Sequence, residues 1–177
     1  MVNFSVSDDY PVRAIIGKRG SAKSLLQVAL AYYAEQSNIS VWTNFNLNNI
    51  KYEQTSFAHL ATFPDELHDA VVLIDEMHVG ADSYSFWSKQ TKAITDFATQ
   101  LRKRRLLLFY ASQNFDMIPK RLREQTNIVI QMTRLDAGIA RIDVFDLDNR
   151  GEFIRSTVFD GRPFYNYYET GEIIKNK

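Results

Sequence analysis

The chain has no cysteine among its 177 residues, which excludes disulfides, thiolate nucleophiles and cysteine-based zinc sites together and fits a reducing compartment. It also has no excess of either charge: Lys plus Arg and Asp plus Glu number 21 each. Without a net field the whole molecule is not drawn to nucleic acid or to an anionic membrane, so any contact with DNA must come from a local patch. No long apolar run is present. Runs such as Leu106 to Ala111 are far short of the roughly 18 residues that a membrane helix needs. Met1 to Tyr10 is polar and acidic, unlike a secretory signal. With only 7 Gly and 4 Pro there is no Gly/Pro-rich linker, and no repeat or low-complexity tract is visible. Residues 1–177 therefore read as a single domain built on one core.

What is present alternates between strand and helix signals. Val12 to Ile16 is a short apolar run ending at Gly17, and Ser24 to Gln36 then places Leu25, Val28, Ala29, Tyr32 and Tyr33 at helical spacing. Ile39 to Thr43 is β-branched and aromatic and exits through an Asn-rich turn. Ala70 to Ile74 and Leu106 to Ala111 have no polar alternation, the pattern of parallel strands covered on both faces. Ser83 to Arg104 is mostly helix-compatible, and a short basic helix is expected from Pro119 to Gln125. From Asn127 onward, Ile128 to Met132, Arg141 to Phe145 and Phe153 to Phe159 alternate between turn signals and predict an antiparallel hairpin at the sheet edge. The fold class is α/β: a three-layer P-loop NTPase with a mostly parallel central sheet and antiparallel C-terminal edge strands.

Gly17-Lys18-Arg19-Gly20-Ser21-Ala22-Lys23-Ser24 has Walker A spacing, with Ala22 where the last glycine is usual. A strand precedes it and an amphipathic helix follows. Backbone N–H groups and a helix N-terminus can cradle an anion, Lys23 can reach the outer phosphates, and the Ser24 hydroxyl can ligate Mg²⁺. The expected ATP-binding set runs through Gly17, Lys18, Arg19, Gly20, Ser21, Ala22, Lys23, Ser24 and Leu25. If Ala22 is forced left-handed it costs about 1 to 2 kcal/mol, which would weaken nucleotide binding. The competing reading is a chance glycine turn ahead of a helix.

Val71 to Ile74 followed by Asp75 and Glu76 is a Walker B pattern, two acids at the C-terminal end of an apolar strand. Asp75 is expected to join Ser24 in holding Mg²⁺, and Glu76 to orient and deprotonate the attacking water. The bland alternative is a strand ending in solvated acids. Gln113, leaving the next apolar strand, is the candidate γ-phosphate sensor, or else merely caps that strand. Charge compensation at the transition state calls for arginine. Arg19 is the source in cis, and Arg102, Arg104 and Arg105 in the basic run are candidates to reach a neighbouring subunit, unless that run is a solvated cluster at a helix C-terminus. Lys120, Arg121 and Arg123 are candidates for DNA phosphates, binding by avidity if several copies face one axis. His59, His68 and His78 are scattered, away from metal-ligand spacing, and no zinc is assigned to them.

The ordered set GKRGSAKS, WTNFNL, LIDEMH, LRKRR, ASQ and PKRLREQT, spanning Val12 to Arg134, resembles the FtsK/HerA-like branch of P-loop ATPases. Within that branch it is most similar to viral genome-packaging ATPases and the related Zot-like assembly ATPases. Arg19 in the phosphate loop, Thr43-Asn44 after the second strand, Gln113 at a strand end and the tail Tyr167-Tyr168-Glu169-Thr170 carry the likeness. The resemblance implies an ATP- and Mg²⁺-dependent homo-oligomeric ring, a hexamer or pentamer, that translocates double-stranded DNA into a preformed capsid, with a capsid vertex protein as a further partner. It places the protein in the virion or host cytoplasm, without direct membrane insertion. The lack of a transmembrane segment separates this reading from a Zot-type export protein anchored in a membrane. Alternative readings are a Zot-like virion assembly or extrusion ATPase, a small-molecule P-loop phosphotransferase, and a nucleotide-binding scaffold that does not hydrolyse.

Overall fold

The computed structural model describes residues 11–60, 62–75 and 100–168. Their strands form an eight-stranded sheet in the order β3-β2-β4-β5-β1-β6-β7-β8. The strands are β1 (Val12–Ile16), β2 (Ser40–Thr43), β3 (Glu53–Gln54), β4 (Ala70–Ile74), β5 (Leu106–Ser112), β6 (Ile128–Asp136), β7 (Ile139–Asp146) and β8 (Glu152–Asp160). From β3 to β6 every neighbouring pair is parallel, and β6-β7-β8 is an antiparallel ribbon at one edge. This is the mixed sheet expected from the sequence.

The uninterrupted apolar strands are buried on both faces, as their lack of alternation predicts. Val71 and Leu73 of β4, with Leu107, Phe109 and Ala111 of β5, pack into one core cluster. Val72 and Ile74, with Leu106, Leu108 and Tyr110, pack into the other. The first cluster lies under helix α1 (Lys23–Gln36), which contributes Leu26, Val28, Ala29, Leu30, Ala31 and Ala34. The second is covered by Leu101, Ile118 and Leu122, the last on the short helix α3 (Lys120–Glu124); helix α2 is the single turn Phe57–Leu60. Helix α1 ends where Asn38 turns left-handed at φ 57° and the Ile39 N–H reaches back to the Ala34 carbonyl at 2.9 Å, a Schellman-type stop.

Two elements exceed the sequence reading. Strand β6 continues four residues past Met132 to Asp136 because it keeps pairing with β7 beyond the end of β1. A 3-10 segment, Arg162–Tyr167, follows β8 and packs on α1; its aromatic residues gave no helical period to detect. Most of the helix expected over Ser83 to Arg104 lies outside the described residues, of which only residues 100–103 are helical here.

The chain order dictates where a ligand can sit. β1 lies between β5 and β6, yet the chain leaving it through α1 crosses over β5 and β4 to reach β2. Such a reversal opens a crevice at the carboxyl ends of the strands, and the loop after β1 stands in it.

Candidate nucleotide site

The loop from Gly17 to Ala22 begins at the end of β1, where the Gly17 N–H donates to the Ser112 carbonyl of β5 at 3.2 Å. Gly17 is compelled by space, since a Cβ there would stand 2.5 Å from the Met132 carbonyl oxygen and 2.6 Å from Ser21 Oγ. Gly20 is compelled by conformation, with φ 77°. Ala22 is the helix N-cap and is left-handed, φ 65° and ψ 24°, so the strain expected from the missing glycine is present. Ala22→Gly should therefore stabilise the fold, by about 1 kcal/mol and a rise in Tm of about 2–4 °C in thermal unfolding. A fall in Tm would mean that the unfolded-state entropy gained with glycine outweighs the relieved strain.

The loop closes over its own lysine. Lys23 Nζ donates to the Gly17 carbonyl at 2.8 Å and to the Lys18 carbonyl at 3.2 Å, which holds the ammonium at the concave side of the loop. The first turn of α1 begins at Lys23, and a helix start leaves its first N–H groups without intrahelical partners. Ser21 Oγ is buried with no hydrogen-bond partner among the described residues. Left-handed turns, the start of a helix and a lysine form an electropositive cradle, the donor set a phosphate chain requires.

Directly beneath, Ser24 Oγ donates to Asp75 Oδ2 at 2.6 Å. The Walker serine and the Walker acid, 51 residues apart in sequence, are thus in contact at the ends of α1 and β4. One hydroxyl and one carboxylate are a sparse set for a protein-only metal site, but they suit Mg²⁺, which keeps several waters and takes further ligands from substrate phosphates. The residues present fit both groups.

Two amides fix the Asp75 peptide. Asn44 lies just past β2, and its Oδ1 accepts from the Asp75 N–H at 2.8 Å while its Nδ2 donates to the Asp75 carbonyl at 3.0 Å. The side chain thereby extends the β2–β4 ladder one step past Thr43↔Leu73. Gln27, fully buried on α1, donates from Nε2 to the Ile74 carbonyl at 2.9 Å. The sequence alone assigns neither amide a role. Asn44 is visible there only as part of the Thr43-Asn44 resemblance, whereas Gln27 is a polar residue on the buried face of an amphipathic helix, which is a usable signal.

The remaining candidates divide by which end of the sheet they occupy. Gln113 follows β5, beside β1 and β4, at the same end as Asp75. Lys18 and Arg19 are exposed on the loop. Arg134 joins them unexpectedly: it lies in the extension of β6, with Nη1 3.5 Å from where a Gly20 Cβ would be. The sequence reading missed it by ending that strand at Met132. Glu76 and His78 lie outside the described residues.

Arg102, Arg104 and Arg105 precede β5 and sit at the opposite end of the sheet, about 20 Å away along a seven-residue strand. They cannot serve the site of their own chain. Arg104 donates to the Pro64 carbonyl at 2.6 Å and the Leu67 carbonyl at 3.3 Å, with its guanidinium over the Phe63 ring. Arg105 grips Asp69 through two nitrogens, Nε to Oδ1 at 2.6 Å and Nη2 to Oδ2 at 2.7 Å, and with His68 holds that carboxyl below the usual range. Arg102 is exposed on the helix. Arg104→Ala should accordingly cost about 1.5–3 kcal/mol of stability in denaturant unfolding, and Arg102→Ala should cost less than about 0.5 kcal/mol; equal effects would contradict the structural role of Arg104. On α3, Lys120 lies 3.7 Å from Glu124 and Arg123 lies 3.0 Å from Asp116, so part of this basic group is balanced within the chain. His59 Nδ1 is 3.3 Å from Thr55 Oγ1, and His68 pairs with Asp69.

No protein-family model matches the sequence, and no curated protein matches it. Solved structures do. The N-terminal domain of zonular occludens toxin from Neisseria meningitidis superposes with a TM-score of 0.58 at 16% identity, covering 90% of this chain and 100% of that one. B204, the DNA-packaging ATPase of Sulfolobus turreted icosahedral virus, gives a TM-score of 0.57 at 14% identity, covering 84% and 96%. The genome-packaging NTPase B204 of Sulfolobus turreted icosahedral virus 2, in complex with ATP-gammaS, gives 0.52 at 14% identity, covering 86% and 97%. At these identities the likeness is one of fold: the chain has the P-loop ATPase fold that the Zot domain and the viral packaging ATPases share.

Proposed function

We propose that this protein is an ATP-hydrolysing motor that translocates double-stranded DNA, packaging a viral genome into a preformed capsid as a homo-oligomeric ring. The observation that carries the ATPase part is the contact of Ser24 with Asp75 beneath a loop whose lysine faces inward. The packaging part is supported by the fold shared with two viral packaging ATPases and by the ordered motifs of the sequence.

In this reading the loop N–H groups and Lys23 bind the phosphates of ATP, Ser24 and Asp75 hold Mg²⁺, and Asn44 and Gln27 keep Asp75 in place. Mg²⁺ supplies charge neutralisation at the phosphate oxygens. Glu76 accepts a proton as water attacks the γ-phosphorus, the bridging oxygen leaves with ADP, and Gln113 positions the water. Arg19 and Arg134 stand on the loop side to compensate charge in cis, and Arg102 is the best placed of the basic run to reach a neighbouring subunit, since Arg104 and Arg105 are engaged within their own chain. Exposed Lys120 and Arg121 offer phosphate contacts to DNA. The protein acts in the virion or host cytoplasm, and a capsid vertex protein is its docking partner.

The Zot domain, covered over its full length, favours a second reading, an assembly or extrusion ATPase acting on virion proteins or single-stranded DNA. One assay separates the two: steady-state ATP hydrolysis with duplex or single-stranded DNA, alongside the oligomer mass. Stimulation by duplex in a ring supports packaging, and a single-strand preference supports extrusion. Turnover by a monomer, insensitive to either DNA, would sink the motor and return the phosphotransferase reading.

A further inference from the structure

We propose that the C-terminal strap, Arg162–Tyr167 with Tyr168, is a positioning element for Asp75, acting at a distance through the loop that carries Asn44. The observations form a continuous physical chain. The strap follows Gly161, where an added Cβ would meet Leu25 Cβ at 2.9 Å, beside the start of α1. It then runs along the helix through ring contacts: Phe164 with Tyr32 and Tyr33, both at 5.9 Å between centroids, and Tyr167 with Tyr32 at 5.1 Å.

From there it crosses to the loop after β2. The Asn48 N–H donates to the Tyr167 carbonyl at 3.0 Å, Tyr168 forms an antiparallel bridge with Leu47, and the Tyr168 ring sets its face-to-edge contact on Phe45 at 6.0 Å and 87°. Phe45 is next to Asn44, the residue that brackets the Asp75 peptide. Residues 44–49 otherwise belong to no named strand or helix, and loops with little regular hydrogen bonding open readily. Fixing them in advance removes an ordering cost that would otherwise fall on the Asn44 contacts. The strap thus sets how often Asp75 stands ready beside Ser24.

Two measurements test this on the full chain. Amide exchange of the unliganded protein reads the Asp75 N–H directly. Tyr168→Ala and Phe45→Ala should each speed its exchange about tenfold, the loss of one hydrogen bond's net worth, while β5 amides keep wild-type rates and Tyr168→Phe restores protection. Unchanged exchange at Asp75, or acceleration spread evenly over β4 and β5, overturns the proposal, the second outcome because it reports general loosening.

The other measurement rests on the ATPase reading. The Mg²⁺ concentration for half-maximal turnover should rise about tenfold in Tyr168→Ala, and the Tyr168→Ala/Asn44→Ala double variant should be no worse than Asn44→Ala alone. Additive effects, or a fall in turnover with Mg²⁺ dependence unmoved, count against action through Asn44. Should the wild type prove inactive, the ATPase reading falls, and the exchange measurement still decides the role of the strap.

Discussion

Lys23→Ala is expected to lower ATP turnover by about 10²–10³-fold, the size seen when one preorganised group aimed at developing charge is removed. The fold should survive, because alanine favours helix at this first-turn position and the bonds lost include those of one ammonium to two carbonyls of its own loop. Lys23→Arg should not rescue it. The site holds a compact point charge inside a small loop, and a planar guanidinium fork cannot occupy the same place. If the loop were only a glycine turn ahead of a helix, Lys23→Ala would leave nucleotide binding unaltered, so equal affinity in wild type and variant would overturn the assignment.

Asp75→Asn is expected to reduce Mg²⁺-supported turnover by a similar factor, and here charge can be separated from architecture. The bracket from Asn44 engages the backbone N–H and carbonyl of residue 75, not its side chain, and Gln27 holds the peptide before it. An isosteric amide leaves these bonds intact, and its oxygen can still accept from Ser24. What disappears is the negative charge. Activity should fall with little change in Tm, and added Mg²⁺ should fail to restore it; recovery at high Mg²⁺ would instead mean a weakened but working site, and an unchanged rate would remove Asp75 from the mechanism.

The parts legible in sequence are those whose chemistry is local. Short continuous apolar runs such as Ala70–Ile74, rich in β-branched residues and bounded by polar segments, fit a strand covered on both faces, so the parallel core could be read directly. The loop from Gly17 to Ser24 and the acid at Asp75 announce themselves by residue type and position at a strand end. Ala22 could even be flagged as strained, because the conformation of that position follows from the spacing of the motif.

What could not be read depends on partners distant in sequence. Asn44 is one asparagine in a loop rich in them, and its role arises because β2 and β4 are neighbours in the sheet. Arg134 depends on how far β6 outruns β1, a register that alternation alone cannot set. Arg104 and Arg105 looked available because they sit in a run of like charges, yet Pro64, Leu67 and Asp69 claim them. Basic residues at a helix–strand junction are often used to satisfy the chain's own carbonyls and acids. The C-terminal strap is aromatic without period, so its docking on Tyr32 and Tyr33 is a matter of tertiary packing.

The claim on which the account rests is that the loop ahead of Lys23 and the carboxylate of Asp75 grip the same Mg²⁺–triphosphate. An equilibrium titration with ATP-gammaS, with and without Mg²⁺, in the wild type and in Asp75→Asn, tests it most directly. The expected result is saturable binding to the wild type that weakens when Mg²⁺ is withdrawn, and binding to the variant that is indifferent to the metal. Absence of saturable binding, or the same Mg²⁺ dependence in both proteins, would contradict it.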